Sequence, residues 1–228
     1  MRLGGDVKAE VSVPTRTWEN LDPGRRERVL NAALAEFGRA GYSGGSLNVI
    51  AREAGVAKGS LFQYFADKFD FYAYVAEQVG LQVYRDLAHL LPRPPGRSLF
   101  DHLFDALCGW VDYFADHPLE RGITIATNLE LDPEVRAAIR GPVHRLYVEA
   151  IGPLLMDARE RGELRPDADI DVLLAMVIML LQHLSMAPFT PAIDPVLGLY
   201  ESEPGQVRER IRQLLRSLLA GFAAVAVD

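Results

Sequence analysis

Apolar positions along the 228-residue chain recur at three- and four-residue spacing almost throughout. That is the period of helices turning one face to a core. The first periodic stretch opens at Asp22-Pro23, an N-cap residue followed by a proline suited to the first helical position. It carries Val29, Leu30, Ala33, Leu34 and Phe37, and then meets Gly41, a helix-ending residue type. After the turn GYSGG, Ser46 is placed to cap a second helix bearing Leu47, Ile50, Ala51 and Ala54, which Gly55 breaks. A third, short helix runs from Lys58 to Phe65, and a fourth, capped by Asp67, runs to about Leu91.

The pattern stays helical beyond the break at Pro92, Pro94, Pro95 and Gly96. Helices are expected over 98–116, over 119–129, from Asp132-Pro133 to about Arg161 with a bend near Gly152-Pro153, over 170–186 and over 206–226. The segment 188–205 holds four prolines and reads as a loop. No useful run alternates with period two and no repeat is visible, so the predicted class is all-α with about nine helices. The domains expected are a flexible tail (1–20), a small three-helix domain (21–67) and a larger helical domain (68–228).

Composition narrows this picture. Apolar residues are 49% and charged residues 24%, a globular balance. Cys108 is the lone cysteine, which excludes a disulfide framework and a Cys-rich zinc module. The longest apolar run, 172–181, is too short for a membrane helix, and the first eighteen residues have no signal-like apolar core. A cytoplasmic protein without a membrane partner is expected. The net charge of −7 is uneven. Residues 1–70 carry ten Lys and Arg against nine Asp and Glu, while the remainder carries fourteen against twenty-two. An acidic body repels nucleic acid; the N-terminal part does not.

The most informative segment is 46–65, SLNVIAREAGVAKGSLFQYF. A helix-turn-helix needs a small residue where two short helices cross, a glycine in the turn and an apolar residue after it. Ala51, Gly55 and Val56 meet those needs, and Ile50, Val56 and Leu61 can close one core. Leu61 and Phe65 point inward together, leaving Lys58, Gly59, Phe62 and Gln63 outward. A cation, an exposed backbone and an amide suit a major-groove helix, although a plain three-helix core with no ligand shows the same apolar spacing.

With Ala33, Phe37 and Gly41-Tyr42 upstream, the run IAREAGVAKGSL (50–61) and Phe65 with Lys68 downstream, residues 25–72 resemble the N-terminal domain of TetR-type transcriptional regulators. The resemblance implies a homodimer that binds a palindromic double-stranded DNA operator, usually as a repressor, and is released by a small-molecule effector. By position it implies DNA-binding roles for Ser46, Asn48, Lys58, Gly59, Ser60, Phe62, Gln63, Tyr64 and Lys68. Phe62 departs from the family's frequent phosphate-bonding Tyr, Ala57 from a common Ser, and Val49 from a common acidic residue.

The resemblance also implies that the last two helices pair with those of a second subunit. The interface expected there is Val177, Leu181, Leu184, Ile211, Leu215, Leu218 and Phe222. An effector pocket for an apolar or aromatic molecule is expected among Phe104, Trp110, Tyr113, Phe114, His144, Tyr147, Met176, Met179 and His183, although such residues at helical spacing also serve as plain core. The five histidines show no metal-ligand spacing, Cys108 reads as a buried structural thiol, and catalytic motifs are absent. No metal, cofactor or enzymatic activity is expected. An all-helical hydrophobic-ligand protein and a ligand-independent DNA-binding regulator are the alternative readings.

Overall fold

The computed structural model describes residues 14–224. Among them it forms ten α-helices and no strand beyond one isolated bridge, Leu164 to Ala223. The helices are α1 (Arg16–Glu19), α2 (Pro23–Gly44), α3 (Leu47–Ala54), α4 (Lys58–Tyr64) and α5 (Lys68–Leu87), followed by α6 (Leu99–Asp116), α7 (Pro118–Asn128), α8 (Pro133–Glu160), α9 (Ile170–Leu184) and α10 (Pro204–Ala220). The all-α expectation holds. Asp22, Asp67, Ser98 and Asp169 accept backbone N–H bonds at the starts of α2, α5, α6 and α9, and Asp132 does so for α8. These side chains satisfy donors that a helix start leaves open.

The expected tail needs correction. Residues 1–13 lie outside the described residues, but 16–19 form α1, and Trp18 is only 1% exposed. The chain divides into two compact units whose limits differ from the expected domains. One joins Met1–Leu81 to Gly122–Pro142; the other joins Gln82–Arg121 to Val143–Asp228.

In the first unit, Val29, Ala33 and Phe37 of α2, Ile50, Ala51 and Ala54 of α3, and Leu61 of α4 are buried together with Phe65, Phe71 and Tyr72. Phe65 stacks on Phe71 at 4.3 Å, and Phe37 meets Tyr72 edge-on at 5.0 Å. Glycines allow close approach at two places. Gly45 lies against Phe37, where an added Cβ would sit 2.6 Å from the ring. Gly38 of α2 and Gly122 of α7 touch backbone to backbone. Glu130 is buried in this unit, and its carboxylate accepts bonds from the backbone N–H of Tyr42, Leu131 and Asp132 and from the Ser43 hydroxyl.

In the second unit α6 contributes Leu103, Leu107, Cys108, Trp110, Val111 and Phe114 to the core. Leu173, Val177 and Leu184 of α9 and Val207, Ile211, Leu215 and Leu219 of α10 are buried there as well. Trp110 Nε1–H donates to the Leu181 carbonyl at 3.0 Å. The Arg212 guanidinium lies 4.1 Å from the centre of the Phe104 ring. In the 185–203 segment, Asp194 accepts the N–H groups of Val196, Leu197 and Leu199, which gives the proline-rich loop a fixed turn.

Candidate functional site

The turn between α3 and α4 is set by Gly55, whose φ of 66° and ψ of 37° are left-handed. Glycine holds that conformation without a Cβ penalty. Val56 N–H returns to the Ala51 carbonyl at 2.9 Å, closing the end of α3 so that α4 leaves in a new direction. On α4, Leu61 and Tyr64 face inward with Phe65 just beyond, while Lys58, Gly59, Phe62 and Gln63 are exposed. Phe62 is 49% exposed, the most open aromatic side chain of this helix. A Cβ built on Gly59 would meet nothing within 4 Å, so an approaching surface could reach the backbone itself.

The expected DNA-binding residues do not all lie on this face. Asn48 is exposed and Ser60 half-buried. Ser46 stands at the N-cap of α3 but makes no side-chain cap bond. Its N–H instead donates to the Glu36 carboxylate at 3.0 Å. The hydrogen bond from Arg39 to Glu36 holds that carboxyl below its usual range. Tyr64 needs correction. It is 2% exposed and packs 5.5 Å from Trp18, so its ring belongs to the core and does not reach out to a backbone phosphate. Lys68 is half-buried; its Nζ donates to the Ser43 carbonyl and lies 5.0 Å from the Tyr42 ring centre, joining the start of α5 to the end of α2.

The exposed patch offers one cation, one amide, one flat apolar ring and bare backbone. This set can approach base edges and methyl groups in a groove. Seven basic and six acidic side chains lie in residues 21–70. Any attraction of this domain for phosphate would therefore be modest.

The expected effector residues sort differently in the second unit. Trp110, Phe114 and Tyr147 meet edge-on, with centroids 4.9 Å and 6.0 Å apart. His144 joins them, 6.3 Å from Tyr147 and hydrogen-bonded to Gln182 at 2.7 Å. Phe104 lies beneath Arg212, Met176 and His183 are half-buried, and Met179 is 58% exposed. Tyr113 alone among the nine lines either of two cavities in this unit. One is a groove of about 450 Å³ bounded by Asp86, Asp112 and Asp116 with Tyr113 and His117. The other, of about 110 Å³, lies between Cys108, Val111, Phe189 and Ile211. Tyr113 stacks on His117 at 4.0 Å and donates to Asp86; burial and the neighbouring carboxylate raise its phenol pKa.

Four of the seven expected interface residues, Val177, Leu184, Ile211 and Leu215, are consumed by the chain's own core. The all-round apolar character of 170–184 gave no means of telling the inner face from the outer. Leu181, Leu218 and Phe222 are half-buried, and the apolar residues that α9 leaves open are Val172, Ala175 and Met179.

Residues 29–75 match the family model for bacterial regulatory proteins of the tetR family. The chain is similar to the HTH-type transcriptional repressor SCO4008 of Streptomyces coelicolor, 34% identical over 97 residues. That stretch is 41% of this chain and 44% of the repressor. It is also similar to the HTH-type transcriptional regulator UidR of Escherichia coli, 24% identical over 198 residues, 86% of this chain and 92% of that one. In fold it resembles a TetR family transcriptional regulator from Chloroflexus aurantiacus, with a TM-score of 0.65 and 24% identity across 92% of this chain and 99% of that one. With its helix-turn-helix turn and exposed α4 face in place, the stretch 29–75 is similar to the bacterial regulatory proteins of the tetR family.

Proposed function

We propose that this chain is a homodimeric, sequence-specific DNA-binding repressor of transcription, released from a palindromic operator by a small apolar or aromatic effector. The observation that carries the reading is α4 itself. Its Leu61 and Tyr64 are fixed in a core while Lys58, Gly59, Phe62 and Gln63 face out. Two such helices separated by one turn of DNA, about 34–36 Å, would read two half-sites. Pairing two modest interfaces raises affinity without further charge. For the effector the support is Tyr113, the one expected residue that lines a groove of the second unit. The effector's coupling to DNA binding would be reciprocal: operator and effector each weaken the other's binding by the same factor. Among the described residues no helix is long and apolar enough to cross a membrane.

The test is selection of bound sites from a random duplex pool by the full chain, followed by anisotropy titration at two salt concentrations. The expected result is a palindromic winner with a steep salt dependence. Lys58→Ala should lower affinity for that site by about three- to tenfold and reduce the salt slope by about one. A folded dimer that enriches no sequence, or a Lys58→Ala dimer that binds the selected site unchanged, overturns the proposal.

A further inference from the structure

A helix leaves its last carbonyls without partners of its own, and a short helix has few internal bonds with which to resist tilting. The recognition helix α4 has seven residues. Its Leu61 carbonyl is taken by Phe65 N–H, closing the end locally. The carbonyls of Gln63 and Tyr64 are met from outside the helix, by one residue. Thr15 N–H donates to the Tyr64 carbonyl at 3.0 Å, and Thr15 Oγ1–H donates to the Gln63 carbonyl at 2.6 Å. Gln63 turns its side chain outward on the recognition face. The Thr15 hydroxyl thus holds the main chain of a residue placed to read DNA.

Thr15 is itself held firmly. It begins the turn that leads into α1, whose Trp18 wedges against Tyr64 at 5.5 Å, Phe65 at 5.0 Å and Tyr74 at 5.8 Å. The indole N–H donates to the Tyr74 hydroxyl at 3.1 Å, tying α1 to α5. Arg26 of α2 donates to the carbonyls of Trp18 and Glu19 and lies 5.7 Å from the indole centre. Helices α2 and α5 therefore fix α1, and α1 fixes the far end of α4. Neither Thr15 nor Trp18 is charged, so neither adds to the attraction for phosphate. What they determine is the angle and register of α4. A reading helix must be held to a fraction of an ångström for its side chains to tell one base from another.

We infer that Thr15 and Trp18 are positioning residues for sequence discrimination, with Thr15 acting as a C-terminal cap supplied to the recognition helix from the N-terminal segment. The inference rests on the DNA-reading proposal above. It names residues outside both the matched stretch 29–75 and the recognition helix.

The experiment compares the wild-type chain with Thr15→Val, Thr15→Ser and Trp18→Phe. Valine keeps the shape of threonine without its donor, serine keeps the donor, and phenylalanine keeps most of the ring without the N–H. Anisotropy is measured on the selected operator and on a scrambled duplex. Thr15→Val is expected to weaken operator binding by about five- to tenfold, as loss of a typical hydrogen bond does. Binding to the scrambled duplex should stay within about twofold by the same reasoning, because no charge changes. Thr15→Ser should restore the wild-type ratio, and Trp18→Phe should fall between the two. A purely structural role would lower both affinities together through the folded fraction, leaving the ratio unchanged; that result overturns the inference. Amide hydrogen exchange on the same proteins without DNA gives a second decision. Thr15→Val should speed exchange in 61–65 while α2 and α3 keep wild-type rates. If the wild-type chain fails to discriminate any sequence, the DNA-reading proposal falls. The exchange measurement still decides the cap, and unchanged rates across α4 overturn it.

Discussion

At the scale of single residues, burial decides chemistry. Cys108 sits in the core of the second unit, and desolvation pushes its thiol up to about 11. At pH 8 that leaves about one molecule in a thousand as the reactive thiolate. Native protein should therefore react with a thiol reagent orders of magnitude more slowly than protein in denaturant; equal rates would contradict the buried placement. Glu36 shows the opposite shift. Its hydrogen bond from Arg39 lowers the carboxyl pKa, and the carboxylate also receives the Ser46 N–H at the start of α3. A carboxyl held below its unfolded value stabilises the fold above that value, and the contribution fades as pH falls through the lowered one. The stability gap between wild type and Glu36→Gln, followed by urea unfolding, should be wide at pH 7 and close toward about pH 3. Some of this was legible in sequence. Cys108 lay in an apolar helical stretch, and the spacing placed Leu61 and Phe65 inward without assigning Tyr64 to either face. The family resemblance alone gave Tyr64 a role, and that role pointed outward. Glu36 was not legible, because its partner lies ten residues on, across a turn whose path no local period reveals.

Among elements, the helix-turn-helix was readable because its signals are local: apolar spacing on two short helices and one glycine between them. The turn before it depends on a contact. A Cβ at Gly45 would stand 2.6 Å from the Phe37 ring and 2.7 Å from the Gly41 carbonyl. Gly45→Ala should cost about 2–3 kcal/mol in chemical unfolding, as overpacking of a fixed core does. A loss below half a kcal/mol would mean the turn yields freely. Element α1 escaped sequence reading for a physical reason. Four residues are too few to show a helical period, and Trp18 is a single aromatic among Pro, Thr and charged neighbours. Its order comes from Tyr64, Tyr74 and Arg26, all distant in sequence. Helix α9 failed in the other direction. With apolar residues on every side, its period was flat, and only packing tells Val177 and Leu184 inside from Val172 and Met179 outside.

For the whole molecule, the proposed homodimer would associate through that outer face of α9. Met179→Glu, at a site 58% exposed, should leave each chain folded and yield monomers in sedimentation, with a large loss of operator affinity. A charge at Leu215, which is fully buried, would instead unfold the chain. A Met179→Glu protein that remains dimeric would move the interface elsewhere. The expected division near residue 67 placed a boundary at the end of the three-helix pattern. The compact unit is instead discontinuous, because Gly122–Pro142 returns to it. Glu130 brings the carboxylate that receives Tyr42 N–H and the Ser43 hydroxyl, and Ile123 is buried with its Gly122 neighbour against α2. On the ribosome this has a cost in time. Forty residues of the other unit, 82–121, must be made before the returning segment appears. At about 5–20 residues per second that is a wait of about 2–8 s. Throughout it, the end of α2 stands unsealed, and the first unit of a newborn chain cannot close until translation has passed well beyond α4.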